Sequence, residues 1–223
     1  MPISSDTITE PQNSGDLFVA LANTLRFDHG EAIEELADAD ALLGWLRDRG
    51  LISDRARAAE SQRLAHDPAE AARRIERFRY LRALLRAMAA RLSAGDRPSR
   101  DQIRQLNHVL RHGLHYHQLQ LDADEARYSV AQVGDRLDQA RAVIAGSFAS
   151  FLADEDPSHL RVCANEGCRE VFVDRSPTGR RRWCDMRTCG NQAKVARHRA
   201  RARAASHAAE PGHSRVPISA TAD

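Results

Sequence analysis

The chain has 223 residues, of which 42% are hydrophobic and 29% charged, a balance that suits a protein with a buried core and argues against intrinsic disorder. Its formal net charge of +2 hides a segregation: residues 1–160 carry 20 Lys and Arg against 25 Asp and Glu, whereas residues 161–203 carry 12 against 4. A polyanion is therefore attracted to one end of the chain and mildly repelled by the rest. Lys194 is the only lysine, so arginine richness partly reflects base composition, and the segregation of sign is the informative feature. The first twenty residues show neither a basic start nor a long apolar run, and no stretch approaches the roughly 18 consecutive apolar residues of a membrane span. The expected location is cytoplasmic, without a membrane partner.

In chain order, residues 1–15 (MPISSDTITEPQNSG) read as a flexible N-terminus. Asp40 is placed to cap a helix containing Leu42, Leu43 and Leu46, with Gly50 at its end, and Ser53 opens a second helix to about Ala65. Asp67-Pro68-Ala69-Glu70 supplies an N-cap, a proline at the first helical position and an acid at the third. Ile75, Phe78, Leu81, Leu85, Met88 and Leu92 continue as an apolar stripe that Gly95 closes. Ser99 with Gln102 starts another helix, with Ile103, Leu106 and Leu110 as its stripe and Gly113 as its stop. The period then changes. Leu114 to Leu121 suggest a strand, Asp122-Ala123-Asp124-Glu125 a turn, and Tyr128, Val130 and Val133 a return strand. A last helix is expected from about Asp135 to Leu152, with Leu137, Ile144, Phe148 and Phe151 facing inward.

Chemistry-bearing residues are sparse in this part. His108 and His112 lie four apart on a helix, and His115 and His117 share a strand face; the set could ligate a metal, although histidines at a helix end more often cap carbonyls. The acidic turn lacks the glycine and distal Glu of a calcium loop. No phosphate-cradling glycine loop, nucleophile elbow or HExxH motif is present.

All four cysteines, Cys163, Cys168, Cys184 and Cys189, fall within 27 residues in the pattern C-x4-C-x15-C-x4-C. Two pairs separated by a hairpin-length spacer suit one structural Zn²⁺ in a closed tetrahedral thiolate site, and nothing suggests the secretion that disulfides would need. Asn165 and Gly167 are placed for the turn between the first pair. Val171 and Val173 read as alternating outward from Phe172, Ser176-Pro177-Thr178-Gly179 as the turn, and Arg182-Trp183 as the returning strand. Cys189 then sits in the first turn of a helix. Knuckle, hairpin and helix in that order describe a treble clef whose folding free energy comes largely from the metal. The expected fold class is α+β: a mainly helical N-terminal domain over 16–155 with a small antiparallel β-hairpin, a treble-clef-like four-cysteine zinc finger with a basic helix over 158–206, and a disordered tail over 207–223.

The stretch from Arg161 to Arg203 resembles the CGNR zinc-finger family. The four residues that name the family stand here as Cys189, Gly190, Asn191 and Gln192, the closing Arg being replaced by Gln192. The flanking RRWC (Arg181 to Cys184) and AKVARHRARAR (Ala193 to Arg203) match as well. Upstream, LFVALANTL (Leu17 to Leu25) is similar to the opening of the ABATE domain that precedes this finger in the family; Asn23 and Thr24 fit, and Ala20 stands where Asp is usual. The resemblance implies a stress-induced transcription regulator that is not an enzyme, and Asn23 and Thr24 become candidates for a ligand site.

At about 100° per residue, Lys194, Arg197, His198 and Arg201 share one face of the final helix, while Arg199 and Arg203 lie opposite. Alanines between them favour helix and keep the rod slim enough for a major groove about 12 Å wide. Arg180, Arg181 and Arg182 are the expected backbone anchors beside it, because arginine engages phosphate in bidentate fashion. The reading is a zinc-dependent DNA-binding regulator whose N-terminal domain senses a small molecule or self-associates as a homodimer. The alternatives are an enzyme with its active site in the N-terminal domain, a protein-interaction adaptor, or an RNA binder acting through the finger.

Overall fold

The computed structural model describes residues 16–28, 31–121 and 128–208. The expected flexible N-terminus at 1–15, the acidic turn beginning at Asp122 and the tail from residue 209 onward lie outside the described residues. The chain divides into two compact units, Met1–Cys184 and Asp185–Asp223. No described helix is long and apolar enough to cross a membrane.

The first unit opens with α1 (Leu17–Ala22), whose Phe18 and Leu21 are fully buried. An antiparallel hairpin follows, β1 (Leu25–Asp28) against β2 (Glu31–Glu34), with Leu25 opposite Glu34. The sequence reading had no counterpart for it: four-residue strands carrying acids show no clear alternation. Its anchor is tertiary, because Arg82 donates to both carboxylate oxygens of Glu34, at 2.6 and 2.5 Å, and to the Thr24 hydroxyl at 3.1 Å. Burial alone would raise the Glu34 carboxyl, yet these hydrogen bonds hold it below the usual range.

Local caps set most helix starts. The amide of Ala41 donates to Asp38 at 2.8 Å, so the cap of α2 (Ala39–Asp48) lies two residues before the expected one at Asp40, which instead pairs with Arg57. Ser53 caps α3 (Asp54–His66), Asp67 caps α4 (Pro68–Ser93), and Ser99 with Gln102 forms a reciprocal capping box on α5 (Arg100–His112). α4 ends as a Schellman motif: Gly95 takes φ +86°, its amide reaches the Leu92 carbonyl, and the Asp96 amide reaches that of Arg91. The covered face of α5 is Leu106 and Val109, while Ile103 is 38% exposed, a rotation from the predicted stripe. Leu110 still packs against the core, and the helix ends close to α6 (Arg136–Asp154), where a Cβ on Gly113 would stand 2.1 Å from that of Ala142. Leu137, Ile144, Phe148 and Phe151 of α6 are buried as expected, and Phe18 meets Phe148 and Phe151 at ring separations of 5.1 and 5.3 Å. Between α5 and α6 the predicted hairpin forms, β3 (Tyr116–Leu121) against β4 (Tyr128–Val133), with Leu119 opposite Val130.

The cysteine-rich segment does not begin a separate core. After a single 3₁₀ turn at Pro157–His159, β5 (Leu160–Val162) pairs antiparallel with β6 (Val171–Val173), Leu160 opposite Val173. Leu160 and Val171 join the main hydrophobic cluster, and the Val162 amide donates to Ser93 Oγ of α4 at 3.1 Å. The first compact unit thus includes this two-stranded ribbon and runs to Cys184, because burying the ribbon requires the helical layer beneath it. In the second unit a wide, π-type turn (Met186–Gly190) leads into α7 (Asn191–Ala208), so the first two residues of the expected 207–223 tail are helical.

Candidate functional site

The β5–β6 pairing changes the expected finger. The predicted partner of β6, Arg182-Trp183, forms no strand; it runs beside the knuckle, with the Ala164 amide donating to the Arg182 carbonyl at 2.9 Å. Val171 consequently points inward rather than out and is 2% exposed. In the knuckle, Asn165 Oδ1 accepts from the Gly167 amide at 3.1 Å, and the Cys168 and Arg169 amides reach the Asn165 carbonyl. The left-handed residue is Arg169, at φ +55°, not Gly167. The Ser176–Gly179 turn closes as predicted, with the Gly179 amide on the Ser176 carbonyl and Gly179 at φ +58°.

Asp174 sets the path from that turn to the third cysteine. It is fully buried and accepts from the Ser176 amide at 3.0 Å and the Arg181 amide at 2.7 Å. Burial would raise its carboxyl, but hydrogen bonds from Ser176 and Arg181 hold it below the usual range. Asn23 does the corresponding work from the helical layer: its Nδ2 donates to the Val171 carbonyl at 2.8 Å and its Oδ1 accepts from the Val171 amide at 2.9 Å, imitating a strand. Arg86 bridges the same elements, reaching the carbonyls of Ala22 at 2.8 Å and Arg169 at 3.1 Å. Thr24 is fully buried, its hydroxyl donating to Leu21 and accepting from Arg82. Asn23 and Thr24, the candidates for a ligand site, both make structural hydrogen bonds, Asn23 to the Val171 backbone and Thr24 to Leu21 and Arg82. The signal for Arg82 was present in the sequence: with Arg74 it falls at i+4 spacing around Phe78 on the apolar face of α4.

These contacts deliver the cysteines. All four are free thiols, and their sulfur atoms lie within 4.8 Å of one another, Cys168 and Cys184 at 3.6 Å. Four ligands at about 2.3 Å around a tetrahedral zinc stand about 3.8 Å apart, so the set fits the ion. Cys163 and Cys189 are buried, and Cys168 and Cys184 half-buried. Burial pushes the Cys184 thiol up, and hydrogen bonds with Glu170 and Cys168 add to this; sulfurs this close ionise together only against a cation. Among the described residues no other group of three or more such side chains converges. The four histidines separate into two pairs, His108 with His112 (Nε2 to Nε2 3.1 Å) and His115 with His117 (ring centroids 5.9 Å).

The cationic residues fall into two classes. Many arginines of the helical layer are engaged: Arg74, for example, pairs with Glu70, Asp135 and Asp138. On α7, residues 191–202 are exposed apart from half-buried Ala193, and among the described residues none of Lys194, Arg197, Arg199 and Arg201 is in an ion pair. Asp185 caps the turn before α7, accepting from the Arg187 amide at 2.6 Å, and the Gly190 amide reaches the Asp185 carbonyl. Gln192 lines a shallow groove with Arg187, Asn191, Val195 and Arg199. Of the three expected anchors, all exposed, Arg181 donates to the Cys184 carbonyl and covers the Phe172 ring at 5.1 Å, while Arg182 covers Trp183 at 5.3 Å.

Two family models match the chain. One, described as "CGNR zinc finger", covers residues 159–202; the other, ABATE, described as "Putative stress-induced transcription regulator", covers residues 15–155. Neither description is that of an enzyme. No curated protein matches the chain.

Proposed function

The chain belongs to the ABATE family and ends in a CGNR finger built for one structural zinc, and from that premise we propose that it is a zinc-dependent DNA-binding regulator. The observation that carries this is α7, exposed almost all round over residues 191–202, where Lys194, Arg197, Arg199 and Arg201 have no acidic partner among the described residues, following directly on the cysteine turn. A helix polar on every side buries no stripe against its own protein, and leaves its surface for solvent or a partner. The segregated charge favours a polyanion. Lys194, Arg197 and Arg201 meet the duplex in this reading, with Arg180, Arg181 and Arg182 as phosphate anchors, while the N-terminal domain senses a small molecule or self-associates.

The test is fluorescence anisotropy of the full zinc-loaded chain on random duplex DNA, with single-stranded RNA as competitor. Salt-dependent duplex binding that Cys184→Ala abolishes supports the reading. Preference for the RNA, or retention of binding after zinc is lost, refutes it.

A further inference from the structure

The helical layer holds a cleft of about 690 Å³ among α4, α5 and α6, within the usual size range of small-molecule sites. α4 contributes Arg73, Arg77 and Tyr80 to its lining, α5 His108 and His112, and α6 Arg141. Two carboxylates share the cleft, and both are committed. Glu76 accepts from Arg79 at 2.8 Å, and Asp138 is divided among Arg74, Arg77 and Arg141 at 3.3, 3.4 and 3.1 Å. Arg73 is paired with Glu70 at 2.9 Å, so the positive charge left in excess is that of Arg77 and Arg141, which share the single carboxylate of Asp138.

Arg141 is the pointed case. Only 7% of it is exposed, Asp138 is its acidic partner, and its Nε has no hydrogen-bond partner. Burial holds this guanidinium below its usual range; Asp138 and Asp135 oppose the shift, while Arg77 and Arg74 nearby reinforce it. Burying a cation with so little compensation is costly, and an anion in the cleft would offset the cost. Tyr80, 52% exposed, and the buried Val109 offer an apolar wall to whatever carries that anion.

We propose that this cleft binds a small organic anion, a carboxylate or phosphate group on an apolar or aromatic body, and is the effector site of the N-terminal domain. The inference rests on the sensing half of the function proposed above and gives it a place and a ligand class. A metal on the His108–His112 pair is the less favoured occupant, because no third ligand converges there among the described residues.

The experiment is isothermal titration of the full zinc-loaded chain with phenyl phosphate, with benzyl alcohol as the neutral analogue. Binding at one site per chain is expected, with shifted His108 and His112 ring resonances and no comparable binding of the alcohol. Arg77→Gln and Arg73→Gln alter half-exposed side chains, and each should weaken phenyl phosphate by about tenfold. The doubly substituted Arg197→Ala/Arg201→Ala chain should keep the binding, which separates this site from the basic helix and from any failure of DNA recognition. Absence of saturable heat up to about 10 mM, equal binding of benzyl alcohol, or loss in the α7 variant with retention in Arg77→Gln each overturns the proposal.

Discussion

Asn23→Ala tests whether the finger hairpin and the helical layer are one structure. The substitution removes two hydrogen bonds at 2.8 and 2.9 Å and strands the amide and carbonyl of Val171, a residue 2% exposed. Each net bond contributes about 1 kcal/mol and each stranded group adds part of its desolvation cost, giving a loss of roughly 2–4 kcal/mol. In a domain of about this size that corresponds to a melting point lower by about 4–16 °C. Thermal melts followed by circular dichroism, with a zinc indicator in the same sample, give the readout. Helix loss and zinc release should move down together, because Leu160 and Val171 belong to the main core. Asn23→Asp keeps the acceptor and loses the donor, and should fall between. A shift under about 1 °C, or zinc release in a separate earlier step with the helices unmoved, would refute the shared-core reasoning.

Three further outcomes follow from the same contacts. Cys184→Ala should reduce bound zinc from one equivalent to near none by elemental analysis and lower the melting point of the helical layer as well, since β5 and β6 are common to both. Asp174→Asn should cost about 1–3 kcal/mol at neutral pH by chemical denaturation. Because the folded Asp174 carboxyl lies below its ordinary value, its contribution is present above that value and lost as pH falls through the folded one, so the variant should also show a flatter acid limb. Gly113→Ala sets a methyl against Ala142 and should destabilise by about 1–3 kcal/mol in the same assay.

What the sequence revealed was local. Ser53, Asp67, Ser99 and Asp135 cap their helices through bonds to amides three residues on, so a short window contains the whole signal. The cysteine pattern was equally legible, because ligand spacing is a property of the chain. What escaped depends on distant partners. Asn23 is 148 residues from Val171 and Glu34 is 48 from Arg82, and no periodicity reports either pair. The spacing offered β6 only Arg182-Trp183 as a partner; it pairs instead with β5, whose Leu160 is buried in the main core, and that lies beyond spacing. The cleft was hidden for the same reason, its lining coming from three helices that meet only in the fold.

The central claim, that α7 carries the DNA contact, is tested most directly by the salt dependence of duplex binding for the full zinc-loaded chain and for its Lys194→Ala/Arg197→Ala/Arg201→Ala variant. Each phosphate contact contributes about 0.9 to the slope of log affinity against log salt. The account predicts a slope shallower by about 2–3 in the variant, with Arg199→Ala, on the other face, changing it by well under one. An unchanged slope in the triple variant, or an equal loss from Arg199→Ala alone, would contradict a DNA-facing side on this helix.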